Sequence, residues 1–91
     1  MNIHDYFADE LFEKKSMAAC YFLIKSGREL EFVCNDKKCF ISSDGSCKKY
    51  SLWVDNVEQA FESIDDMMLE AVIGDKKLYE AWPDIDLIGL F

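Results

Sequence analysis

The hydrophobic pattern changes period along the chain, and the change at Arg28 points to the fold class. Near the N-terminus apolar side chains recur every fourth position; from Arg28 they recur every second. Leu30, Phe32 and Cys34 alternate with Glu29, Glu31 and Val33, which is the period of a strand. Cys39, Phe40, Ile41 and Ser42 continue after the turn pair Asn35-Asp36. A third strand covers residues 48–54, with Tyr50, Leu52 and Val54 on one face and Lys49, Ser51 and Trp53 on the other. Asp44-Gly45 is a strong type I′ hairpin signal between them. Asp55-Asn56 turns the chain again, and residues 58–61 add a short fourth strand. Short strands joined by tight turns make a three- to four-stranded antiparallel meander.

Helical segments flank it. Asn2 is placed to cap a first helix, with Asp5 three residues on. Ile3, Phe7 and Leu11 recur at a spacing of four beside Tyr6, while Asp5, Asp9, Glu10 and Glu13 fill the remaining surface. Residues 17–24 have no clear period. Met17, Ala18 and Ala19 favour a helix, whereas Tyr21, Phe22 and Ile24 favour a strand paired with residues 28–33. Helix is the preferred reading, with a kink near Lys15 and Ser16. After the meander, Ser63 followed by Asp66 marks a helix start, and Ile64, Met67, Met68, Ala71 and Val72 give its core stripe before Gly74. Leu78, Tyr79 and Trp82 suggest one more turn, closed by Pro83. Ile85, Leu87 and Leu90 leave the C-terminus as a strand or an extended tail.

The expected architecture is therefore α+β. It has an N-terminal helix, the meander, a helix over residues 64–72, a short helical turn ending at Trp82 and an extended C-terminal tail. The core expected from periodicity comprises Leu11, Phe22, Leu30, Phe32, Ile41, Tyr50, Leu52, Phe61, Met68 and Leu69. Ninety-one residues suit one domain spanning residues 1–91. A chain that is 51% hydrophobic and 14% aromatic is too apolar for disorder.

Ten basic against eighteen acidic residues give a net charge of −8. That argues against nucleic acid, whose phosphates need a basic face, and against an anionic membrane surface. The N-terminus has no basic region ahead of an apolar one, and the longest apolar run, residues 17–24, is too short to span a bilayer. The expected location is cytoplasmic, where Cys20, Cys34, Cys39 and Cys47 stay reduced.

No motif assigns a reaction. Cys34, Cys39 and Cys47 lack the paired short spacings of zinc sites. With Asn35-Asp36 as a two-residue turn, Cys34 faces Lys37 and Phe32 faces Cys39, so the two cysteines share a face as diagonal neighbours. With Asp44-Gly45 as the next, Cys47 faces Ser42 on the other face. Buried cysteine is then a small core residue. His4, the single histidine, lies at the chain start. Asp65-Asp66 belong to a helix first turn, and Asp84 and Asp86 bracket Ile85. Gly74-Asp75-Lys76-Lys77 lacks the second glycine of a phosphate loop. Lys48, Lys49, Tyr50 and Trp53 could imitate a base-stacking face, but cross-strand packing accounts for the rings. The expectation is a protein without enzymatic activity, cofactor or metal.

Charge is unevenly spread. Residues 15–49 carry seven basic and four acidic side chains, net +3; residues 50–91 carry ten acidic against Lys76 and Lys77, net −8. Charge concentrated in this way steers association toward a basic protein, and aromatics with a polar rim are what interfaces use. The candidate partner surface is Trp53, Asp55, Glu58, Glu62, Asp65, Asp66, Tyr79 and Trp82. The expected function is a protein-interaction module using this acidic half. The alternatives are an immunity- or antitoxin-like inhibitor of a basic protein, and a small ligand-binding protein or enzyme with no recognisable motif. A homodimer is the other partner option.

The stretch Gly27-Arg-Glu-Leu-Glu-Phe-Val-Cys-Asn-Asp-Lys-Lys-Cys-Phe-Ile-Ser42 resembles a family of small bacterial proteins common in Firmicute genomes. These carry Gly-Arg-Glu-Ile-Glu-Phe, an Asn-Gly-Lys turn and Tyr-Ser-Ile, then Phe-x-Ser, Ile-Asp-Gly-Lys-Ser-Leu and Glu-x-Trp. Here the later positions are similar to Phe61-Glu62-Ser63, Ile73-Gly-Asp-Lys-Lys-Leu78 and Tyr79-Glu80-Ala81-Trp82. The match covers about two thirds of the chain. Cys34 and Cys39 stand where tyrosines are usual, and Asp36 stands for the turn glycine. The family has no assigned activity, so the resemblance implies a helix–antiparallel sheet–helix fold, supports helix for residues 17–24, and implies no function.

Overall fold

The computed structural model describes residues 2–44 and 49–91. The N-terminal segment is two helices, α1 (Ile3–Lys14) and α2 (Met17–Lys25). Asn2 caps the first, accepting a hydrogen bond from the Asp5 N–H at 2.9 Å. Lys15 then adopts a left-handed conformation (φ 50°) and its N–H donates to the Leu11 carbonyl. Ser16 restarts the chain, its hydroxyl accepting from the Ala19 N–H at 3.1 Å. The expected kink is thus a full break, with a cap on either side. Residues 17–24 are helical because α2 buries Ala19, Cys20, Leu23 and Ile24 together. Gly27 (φ 97°) ends α2 by letting the Arg28 N–H reach back to the Leu23 carbonyl.

The meander is β1 (Leu30–Cys34), β2 (Lys37–Asp44), β3 (Lys49–Val54) and β4 (Val57–Phe61). Asn35, Asp36, Asp55 and Asn56 all have positive φ, and the pairings Cys34↔Lys37 and Val54↔Val57 make both turns two residues long. Phe32 faces Cys39, the register read from sequence. The Asp44-Gly45 reading fails: Ser42 faces Ser51, not Cys47, and Asp44 faces Lys49. Cys47 itself lies outside the described residues.

The C-terminal segment corrects the reading of a tail. After two short strands and a helical turn, β7 (Ile85–Leu90) pairs antiparallel with β1 and completes a five-stranded sheet in the order β4-β3-β2-β1-β7. Phe32 faces Leu87 while Glu31 faces Gly89, so Ile88 is an extra residue in a bulge. Glu29 and Phe91 exchange backbone hydrogen bonds beyond the strand ends. Sequence alone shows alternation in this segment, but not that β1 has an open edge waiting for it.

Helix α3 (Ile64–Glu70) starts at Ser63, whose hydroxyl accepts from the Asp66 N–H. It stops before Val72, because Val72–Ile73 (β5) and Lys76–Lys77 (β6) form a small hairpin with Gly74 at φ 65°. α4 (Leu78–Ala81) and a 3-10 turn, Trp82–Asp84, lead to β7.

All helices pack on one sheet face. Their buried side chains form a single cluster with Leu30, Phe32, Cys34, Cys39, Ile41, Leu52 and Ile85. A thickness of 19 Å along the short axis matches one helix layer on one sheet. Of the expected core, Leu11, Leu30, Phe32, Ile41, Leu52 and Met68 are buried, whereas Phe22, Tyr50 and Phe61 are half-buried at its margin. Leu69 is 59% exposed. The α3 stripe runs through Ile64, Met67, Met68 and Ala71, and a further 100° of helix rotation carries Leu69 out to solvent.

Candidate functional site

Among the described residues no helix lies over the other sheet face. Strand alternation that sends Leu30, Phe32, Ile41 and Leu52 into the core sends Glu31, Val33, Phe40 and Trp53 outward. The pairings align one row straight across the sheet: Gly89, Glu31, Phe40, Trp53 and Glu58 on β7, β1, β2, β3 and β4. Two aromatic rings therefore stand side by side at its centre, with a carboxylate on each flank. At the β7 end Gly89 leaves room for the Phe91 ring, which a Cβ there would meet at 3.0 Å. Val33, between Lys38 and Asp86, belongs to the next row.

Neighbouring hydroxyls hold this arrangement. The Trp53 indole N–H donates to Ser42 Oγ at 3.2 Å, and Ser51 Oγ donates to Glu58 Oε2 at 2.7 Å. Ser42 and Ser51 face each other, so one cross-strand pair fixes both a ring and a carboxylate. Asp55, in the turn below, accepts from the Lys38 N–H at 2.9 Å and donates its own N–H to the Lys38 carbonyl. Glu31, Glu58 and Asp86 form no ion pair among the described residues. The face is acidic and aromatic, with Lys38 as the cation nearest the row.

The candidate surface read from sequence divides. Trp53 and Glu58 are opposite each other and Asp55 is adjacent in the turn. Glu62 and Asp65 lie elsewhere, in a shallow groove of about 400 Å³ lined also by Tyr21, Lys25 and Tyr50. Asp66 is exposed on α3, and Tyr79 is exposed on α4. Trp82 is a correction: it is 5% exposed, packs edge-on to Phe32, and donates its indole N–H to the Lys15 carbonyl at 2.6 Å. A tryptophan wedged under the α1–α2 elbow serves the core and has no surface to offer. Two cations of the acidic half are already engaged, Lys77 with Glu70 and Lys76 with Asp84. Charge along the chain does not single out Glu31, Phe40 and Asp86, which only the strand pairings bring to this face. Strand alternation opposite the core positions was the signal that could have found them.

The three described thiols, Cys20, Cys34 and Cys39, are unsuited to nucleophilic work. Burial pushes Cys20 up to about 12. Burial, with Cys34 beside it, pushes Cys39 up to about 11, and burial with Asp84 nearby raises Cys34. A protonated thiol is a poor nucleophile and a poor metal ligand. Among the described residues no group of three His, Cys, Asp or Glu could hold a metal ion. Tyr50 lies on the core face and Trp53 on the open face, so they make no common stacking platform. His4 is exposed and its ring lies 5.5 Å from Phe22, which stacks on Phe7. No helix among the described residues is long and apolar enough to cross a membrane.

Comparison with protein-family models, with curated proteins and with solved structures finds no match.

Proposed function

We propose that the chain is a non-enzymatic protein-binding module that takes a basic protein on the open face of its sheet. The observation that carries this reading is the row Glu31–Phe40–Trp53–Glu58, two half-buried aromatics between carboxylates that have no ion-pair partner among the described residues. Aromatic anchors supply contact area at low conformational cost, and the flanking charges set the sign of the partner. An immunity- or antitoxin-like inhibitor is the sharper form of the same proposal, since an acidic face can occlude a basic active site. The resemblance to the small bacterial family belongs to it too. Its support is that the quoted Gly27–Ser42 stretch covers β1 and most of β2, including the strand positions of Glu31 and Phe40.

The test is affinity capture from the host lysate with the wild type and with a Glu31→Lys, Glu58→Lys double variant. The reading predicts a basic protein held by the wild type and lost by the double variant. Glu13→Lys, on exposed α1, retains it. Capture that ignores the double change removes the proposal.

A further inference from the structure

The open face offers more than negative charge, because its carboxylates and rings stand as neighbours across adjacent strands. Trp53 is beside Glu58 on one side of the row, and Phe40 is beside Glu31 on the other. The indole is held by Ser42, and Glu58 is oriented through Oε2 by Ser51, leaving its other oxygen without a hydrogen bond among the described residues. A cation at Trp53 thus meets an aromatic ring and a carboxylate on adjacent strands. An ammonium can satisfy one or the other well. A planar guanidinium satisfies both, stacking on the ring while its N–H edge reaches the carboxylate.

We propose that this face recognises arginine, presented by an extended segment of the basic partner with the pattern Arg-x-Arg. This rests on the reading of the open face as the binding surface. Adjacent strands are about 4.8 Å apart, so the two ring–carboxylate pairs are centred about 10 Å from each other. Alternate residues of an extended chain point the same way about 7 Å apart. Two long arginine side chains splaying outward span the difference. Val33, in the next row, offers an apolar floor for the arginine stems. A second copy of this chain is disfavoured as occupant, because it would bring Glu31, Glu58 and Asp86 against themselves.

The probe is a peptide of Arg-Ser repeats, compared at low salt with a Lys-Ser peptide of equal length and charge. Binding is followed by calorimetry on the full chain and by the fluorescence of Trp53 in a Trp82→Phe variant, one tryptophan of the two remaining. The arginine peptide is expected to bind about five- to tenfold more tightly, with a shifted Trp53 emission. Trp53→Leu should abolish the preference while keeping the circular dichroism spectrum, and Glu31→Gln with Glu58→Gln should weaken both peptides. Equal affinity for the two peptides, or a preference that survives Trp53→Leu, overturns the arginine assignment while leaving the acidic-face reading intact. Failure of both peptides to bind overturns the assignment as well. If natural-partner capture is also insensitive to Glu31→Lys, Glu58→Lys, the acidic-face reading falls with it. If Trp82→Phe fails to fold, calorimetry on the wild type gives the same discrimination.

Discussion

The Gln59 side chain pairs with the backbone of Val72 as a peptide group would. Its Nε2 donates to the Val72 carbonyl and its Oε1 accepts from the Val72 N–H, both at 2.8 Å. Gln59 is on β4, at one edge of the sheet, and Val72 begins the small β5–β6 hairpin. One amide thereby satisfies the two backbone groups that α3 leaves when it stops at Glu70, and it ties the hairpin to the sheet. Gln59→Ala should cost about 0.5–1.5 kcal/mol, since it removes two hydrogen bonds whose Val72 partners water can reach. Denaturant titration measures the loss, and amide exchange should quicken first at residues 72–77. Unchanged exchange there would show that the hairpin is held by Ile73 and Leu78 packing instead.

A second tether joins the chain's two ends. Trp82 donates to the Lys15 carbonyl at 2.6 Å, and Lys15 Nζ donates to the Pro83 carbonyl at 3.2 Å. Trp82→Phe keeps most of the buried ring but orphans the Lys15 carbonyl. The expected destabilisation is about 1–3 kcal/mol in thermal or denaturant unfolding. Tyr79→Ala, on an exposed residue three positions away, should cost under about 0.5 kcal/mol.

The buried thiols predict a pH dependence of known sign. Cys20 and Cys39 ionise near 12 and near 11 in the folded chain, against 9.0 for an ordinary thiol. Between these values the unfolded chain holds fewer protons, so stability is full below pH 9 and falls as pH rises through the folded-state range. The slope is at most about 1.4 kcal/mol per pH unit for each thiol. Denaturation midpoints measured from pH 8 to 10.5 should fall, and Cys20→Ala with Cys39→Ala should flatten the decline. Thiol-reactive dye should label Cys20, Cys34 and Cys39 slowly in the native state and rapidly after denaturation. Fast native labelling would show that the core opens readily.

Asp36 sits at φ 65°, in the second position of the β1–β2 turn. A left-handed conformation strains a side chain that glycine lacks. Asp36→Gly should raise stability by up to about 1 kcal/mol, read from the denaturation midpoint. A loss of stability would indicate that the aspartate makes a compensating contact.

Local chemistry was legible in the sequence wherever it was decided within a few residues. Asn2 and Ser63 cap their helices, Asn35-Asp36 and Asp55-Asn56 turn the chain, and Phe32 faces Cys39 as alternation requires. What failed was decided at long range. Ile85–Leu90 is a strand because β1 offers it an edge, and Trp82 is buried because the α1–α2 elbow covers it. The candidate surface was half legible for the same reason. Trp53 and Glu58 were found by charge and composition, but their partners Phe40 and Glu31 come from the mildly basic middle of the chain. Only the sheet brings them into one row.

The indole N–H groups of Trp53 and Trp82 offer the most direct test of the acidic open face, because one spectrum of the labelled chain shows both. Trp53 lies on that face and Trp82 lies in the core. On addition of the captured basic partner, the account predicts that the Trp53 indole resonance shifts or broadens while that of Trp82 stays in place. Binding that leaves the Trp53 resonance unmoved would contradict it.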